Sequence, residues 1–233
     1  MTRRTLLALS SALVALVAAG GVPPGAEDRR EQVSPYLRAL EARAVGEIDG
    51  RASGEPRRPS VPATPYEGVS LLAFPYAADV DAHLDAIKRQ LRDSIANYTE
   101  AHAEVTAVRE AYERELLAAG AGELIRGAVS DATGRLRLEG VPAGEWLLLG
   151  WREDPHAVKA ARTPAKDAGR FATAPTMTGY GAVSYWRLRV SLRAGETTEV
   201  SLSDRSVWLT AVREEFTYPD EGVKKPGSSK KRR

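Results

Sequence analysis

The chain has 233 residues, 43% of them hydrophobic and 27% charged, with no cysteine and a formal net charge of +2. That apolar content suits one globular domain with appendages and excludes a chain that is disordered throughout. Without cysteine there is no disulfide, no thiolate metal ligand and no thiol nucleophile. A hydrophobic core must then stabilise the fold alone, and an exported chain of this kind is easiest to place in a bacterium.

The first element is an export signal over residues 1–26. Arg3 and Arg4 precede an uncharged run from Leu6 to Ala19, which has the length of a signal-peptide core and falls short of the ~20 residues a spanning helix needs. Cleavage after Ala19 or Ala26 is compatible with the small residues there. Removing Arg3, Arg4 and the six cations among the last ten residues takes 33 basic residues down to 25, against 31 acidic ones. The mature body is therefore mildly acidic and ends in a basic tail, residues 214–233. The tail is expected to be solvated, and its charge would suit an anionic polymer or lipid. KKPGSSKKRR also resembles a nuclear-targeting run, but the export signal argues against a specific nucleic acid partner.

Ser34-Pro35 reads as an N-cap followed by proline at the first helical position, predicting a short helix over 34–43. Residues 49–67 contain four prolines with Gly and Ser and predict a loop. Val69–Phe74 predicts a strand that Pro75 ends. From Asp79 to Ala119 the chain has neither Gly nor Pro, and apolar residues recur at gaps of three and four. That pattern predicts one amphipathic helix with Asp79 as N-cap and Gly120 at its end, roughly 60 Å long. Such a helix outruns a sandwich. It either bends into a hairpin or offers part of its stripe to a partner, a second copy in a coiled coil or an envelope protein, through Leu91, Ile95, Tyr98 and Val105.

Strands follow at 123–130, 135–139 and 145–152, joined by turns at Asp131-Ala132-Thr133-Gly134 and Pro142-Ala143-Gly144. Residues 153–183 show no sustained period and predict a long loop. It opens with His156 among cations, and His156, Lys159, Arg162 and Tyr180 are its candidate ligand residues. Trp186, Leu188, Val190 and Leu192 alternate with polar residues in a strand over 185–192, followed by strands at 197–202 and 206–212. The sum is a mainly β chain, an antiparallel seven-strand sandwich of Greek-key type, occupying 44–74 and 123–213 around a helical insertion at 75–122.

These residues resemble a known family. Gly127-x-Val129, Asp131-x-x-Gly134-Arg135-Leu136-x-Leu138 and Val141-Pro142-x-Gly144-x-Trp146-x-Leu148 are similar to the carboxypeptidase regulatory-like domain, a transthyretin-like sandwich. Leu188-x-Val190-x-x-x-Ala194-Gly195-Glu196-Thr197-x-x-Val200-x-Leu202 resembles its closing hairpin. The resemblance covers about residues 44–74 and 123–212 and implies a non-catalytic folding, adhesion or carbohydrate-binding-like module. Two departures stand out: the inserted residues 75–122, and Trp146 where the family usually has tyrosine.

No catalytic constellation is legible. His83 and His102 lie nearly 30 Å apart on a straight helix and cannot share a metal. Asp79, Asp81, His83 and Asp85 cluster locally, but acidic residues belong in a first helical turn on electrostatic grounds. No G-x-S-x-G, phosphate loop or recognisable carboxylate pair is present. The expectation is an exported, periplasmic or extracellular, non-enzymatic module without cofactor or metal. The alternative is a carbohydrate-binding module, if some of Trp146, Trp151, Trp186 and Trp208 are exposed. Trp186 belongs to the core by its strand face, and Trp146 and Trp151 project to opposite faces.

Overall fold

A computed structural model of the chain describes residues 26–56, 58, 60, 62–154, 158–159 and 176–217. Residues 1–25 of the expected export signal, His156, Arg162 and the expected tail beyond Thr217 lie outside them. The described residues form three layers, a small sheet, a large sheet and a cover of helices. The strands are β1 (Val45–Ser53), β2 (Ser70–Pro75), β3 (Arg126–Val129), β4 (Arg135–Pro142), β5 (Gly144–Glu153), β6 (Val158–Lys159), β7 (Thr176–Leu192), β8 (Thr197–Ser203) and β9 (Leu209–Thr217). One sheet is ordered β4-β1-β8; the other runs β3-β2-β5-β7-β6, with β9 pairing β7. The strands are antiparallel except that β8 lies parallel to β1. The fold is thus mainly β, a sandwich with helices added, with nine strands among the described residues where seven were expected.

Both loop expectations at the turns hold. Asp131 Oδ1 accepts from the backbone N–H groups of Thr133 and Arg135 at 2.8 and 2.9 Å, and Gly134 sits at φ +76°, where a side chain would be strained. The Thr133 hydroxyl, which donates to the same Oδ1 at 2.7 Å, and with it these backbone bonds hold the Asp131 carboxyl below its usual range. Gly144 at φ +153° lets the Tyr36 ring come so close that a Cβ there would stand 2.5 Å from it.

β5 departs from simple alternation for a physical reason. Trp146, Leu147, Leu148 and Leu149 are all buried because this central strand is covered on both faces. Toward the small sheet, Trp186 Nε1 donates to the Ser203 carbonyl at 2.8 Å. On the opposite face, Phe74 meets Tyr112 with ring centroids 5.6 Å apart.

The helices are α1 (Ala26–Glu41), α2 (Ala78–Gln90) and α3 (Ile95–Ala118). Their bounds correct two expectations. α1 begins before Ser34, and Pro35 lies inside it rather than at its first position. Val33 and Tyr36 are drawn into the core, so burial overrides the local capping signal.

The single long helix is instead two. Arg92 donates to the Arg89, Gln90 and Leu91 carbonyls at 3.2–3.3 Å, closing α2. Ser94 then caps α3, its hydroxyl accepting from Asn97 N at 3.2 Å. These contacts satisfy orphan backbone groups at both new ends, so the break needs neither Gly nor Pro. Ala77, without a side-chain cap, stands where Asp79 was expected. At the far end Gly120 takes φ +74° just past the helix, as anticipated.

The hairpin folds the apolar stripe onto the large sheet. Val80, Leu84 and Ile87 of α2 are buried there, as are Val105, Val108, Tyr112 and Leu116 of α3. Part of the expected long loop is also strand: β7 starts at Thr176, extending beyond β5 by pairing with β9 across Tyr180↔Glu214 and beyond. Sequence there offers weak alternation, and the partner strand supplies the missing hydrogen bonds.

Candidate functional site

The residues proposed for partner binding separate in space. Val105 is fully buried in the chain's own core, so it is not available to a partner. Leu91 packs partly against that core. Tyr98 is half-buried, its hydroxyl donating to Asp93 Oδ1 at 3.2 Å. Ile95, at the elbow between α2 and α3, is 55% exposed. Of the proposed ligand loop, Tyr180 is a half-buried residue of β7 paired with Val158. Lys159 contributes backbone to β6, opposite Gly179.

The local acidic cluster is divided between two arginines. Asp79 receives Arg29 at 2.7 Å, whereas Asp85 and Asp81 receive Arg187 at 2.6 and 3.4 Å. His83 is exposed beside them, and among the described residues no three potential metal ligands converge.

His102 lies between α3 and the large sheet. Its Nδ1 and the Tyr185 hydroxyl share a 2.8 Å hydrogen bond. Desolvation holds the His102 pKa below its ordinary value; Glu153 opposes the shift and Arg213 reinforces it. The unfolded chain therefore takes up the proton first, near pH ~6.5. Stability contributed by the neutral ring is present above that pH and is lost as pH falls through it toward the depressed folded value. Thermal melts between about pH 7.5 and pH 5 are expected to fall more steeply for the natural protein than for His102→Gln. Parallel curves would remove His102 from the acid response.

A cleft of about 510 Å³ opens at one end of the sandwich, between the segment 64–68 and the end of β5. β5 outruns β2 here, since the β2–β5 ladder stops at Ser70↔Trp151 while β5 continues to Glu153 against β7. Tyr66, Glu67, Ser70, Trp151, Arg152 and Glu153 line it. Trp151 faces the helices, where the Arg109 guanidinium lies 5.2 Å from its ring. Arg152, the next residue along the strand, points to the other face and stacks on Tyr66 at 3.8 Å. Glu153 is paired with Arg213 at 2.9 Å.

Desolvation and its bond to Asp204 push the Tyr66 pKa up, so the ring presents a neutral hydroxyl. Of the four tryptophans, Trp146 and Trp186 are fully buried, while Trp151 and Trp208 are only partly so. Tyr66 and Arg152 escaped the sequence reading. Tyr66 lies in a proline-rich loop with no period, and Arg152 reads as the last polar residue of an ordinary strand.

No protein family matches the chain, and no curated protein matches it. It is similar to the solved structure of a candidate carbohydrate-binding protein of Pseudomonas aeruginosa, at 14% identity over 68% of this chain and 88% of that one, with a TM-score of 0.33. It is also similar to the pilus backbone protein RrgB of Streptococcus pneumoniae, at 13% identity over 68% of this chain and 40% of that one, with a TM-score of 0.24. Against full-length RrgB the values are 14%, 67%, 29% and 0.24. The chain therefore spans well under half of either RrgB chain. The likeness is one of β-rich architecture.

Proposed function

We propose that this chain is an exported, non-enzymatic β-sandwich module of a bacterial envelope, of the carboxypeptidase regulatory-like kind, with a structural or protein-interaction role. The observation that carries this reading is the use of its charged side chains as fasteners. Arg29 ties α1 to α2 and α3 through Asp79 and Glu115. Arg187 of β7 ties α2 to the sheet through Asp81 and Asp85. Groups that a catalyst would keep free for substrate are here committed to holding layers together. Of the expected partner-binding residues, the one most open to a partner is Ile95 at the elbow, because Val105 and much of the helical stripe already cover the chain's own sheet.

Light scattering of the mature chain tests the partner role. Self-association through the elbow predicts a dimer that Ile95→Asp turns into a monomer. A monomer in both cases, at high concentration, removes self-association and leaves a different envelope partner to be captured.

A second reading, a carbohydrate-binding module, is favoured by one specific observation. The Tyr66 ring, stacked under Arg152, lines an open cleft together with the polar residues Glu67, Ser70 and Glu153, the combination of aromatic surface and hydrogen-bonding groups that small polar ligands use.

A further inference from the structure

Arg152 lacks the ion pair that four other arginines of the sandwich make. Arg187 is paired with Asp81 and Asp85, Arg189 with Glu145, Arg213 with Glu153 and Arg137 with Glu47. Among the described residues Arg152 has no carboxylate within ion-pair distance, although it lines the cleft beside Glu67 and Glu153. Its guanidinium is nevertheless held in place. The ring it stacks on is anchored by the Tyr66 hydroxyl, which donates to Asp204 Oδ1 at 2.7 Å. Asp204 Oδ2 in turn accepts from Glu55 N at 2.9 Å. Gly54 lies so close beneath that a Cβ there would stand 2.6 Å from the hydroxyl.

A guanidinium has five donors in a planar fork that matches a carboxylate bidentately, and stacking on an aromatic ring leaves the edge of that fork available. The plane here is fixed before any ligand arrives, which lowers the ordering cost of binding. Glu67 and Glu153 share the cleft with Arg152. They disfavour a densely charged anion, yet they accept from hydroxyl donors, and Ser70 adds a hydroxyl of its own. The volume falls within the ~300–1,000 Å³ of ordinary small-molecule sites.

We infer that the cleft recognises an acidic sugar, a uronic-acid unit whose single carboxylate pairs with Arg152 while its hydroxyls meet Glu67, Glu153 and Ser70. The inference rests on the carbohydrate-binding reading and narrows it to a charge class. Phosphate monoesters are disfavoured because they bring more negative charge against the two glutamates.

Calorimetric titration of the mature protein tests this with three probes: a galacturonic acid trimer, its methyl ester and the neutral galactose trimer. The acid trimer is expected to bind, at least tenfold more tightly than either uncharged probe. Arg152→Gln is expected to weaken acid binding at least tenfold, and Arg152→Lys to restore only part of it, since an ammonium is a point charge without the fork. Equal binding of acid and ester overturns the inference whether or not the variants fold, because only the ligand has changed. Binding of all three probes alike overturns it while keeping the carbohydrate reading; binding of none overturns both. An Arg152→Gln variant with an unchanged melting curve and unchanged acid binding also overturns it.

Discussion

Trp146→Ala is expected to lower the unfolding free energy by about 4 kcal/mol, within the ~3–5 kcal/mol typical of removing a large buried aromatic. With a urea slope of about 2 kcal/mol/M, the midpoint would drop by roughly 2 M. Three contributions combine at this position. The indole is fully buried, so its loss leaves a cavity that the central strand cannot collapse to fill. Its Nε1 donates to the Pro142 carbonyl at 2.8 Å, and that acceptor would be left without this partner. It also meets Tyr36 edge-on, with centroids 5.5 Å apart and planes at 84°, so α1 loses part of its seat. Trp146→Tyr keeps a ring against Tyr36 but not the indole donor. Its expected cost is about 1–2 kcal/mol. A loss under about 1 kcal/mol for the alanine variant would show that the site repacks, against the close packing of protein interiors.

Arg29→Ala is expected to cost about 2–3 kcal/mol, less than the ~3–5 kcal/mol for breaking a fully buried pair because its partners are partly solvated. Arg29 is 8% exposed. Its guanidinium donates to Asp79 Oδ2 and Glu115 Oε2 at 2.7 Å each. It also lies 4.8 Å from the Tyr112 ring. Burial alone would lower its pKa, but the hydrogen bonds to Asp79 and Glu115 outweigh that and raise it. Asp79 responds in the opposite sense: its bond to Arg29 holds the carboxyl below its usual range. The stability from this carboxylate is present above its unfolded pKa and is lost as pH falls through the depressed folded value.

The effect should be local as well as global. The first turns of α1 would lose their tie, whereas Tyr36 further along keeps its 2.6 Å bond to the Glu145 carbonyl. Amide exchange is therefore expected to accelerate in residues 28–32 more than around Tyr36. Uniform acceleration along α1 would mean that Arg29 acts on the helix as a whole.

Turn and strand residues carried most of the fold in their own chemistry. Asp131 and Gly134 can do little but turn, and Trp186 to Leu192 alternates because one face meets a core. Even the hidden depth of β5 was present in the run Trp146-Leu147-Leu148-Leu149, which suits a strand buried on both faces. The break in the helix was less visible. Ser94 is a capping residue, but its signal sits inside a Gly- and Pro-free stretch where the apolar period continues across it. The helical stripe showed that something must cover it without saying what. Leu91, Ile95, Tyr98 and Val105 looked equivalent for that reason, and only the path of the hairpin separates a buried Val105 from an exposed Ile95.

The cleft was not legible at all. Tyr66, Arg152 and Asp204 are far apart in the chain and belong to no periodic pattern, so their stacking exists only once the two sheets are packed. By itself the sequence determined a mainly β sandwich with a helical insertion, since turn chemistry and side-chain periodicity act over a few residues. Tertiary structure decided the parallel β1–β8 pair, the folding of the helices onto the large sheet and the placing of Arg152 on Tyr66. Those outcomes depend on which distant surfaces bury one another, and that is a property of the whole packed chain.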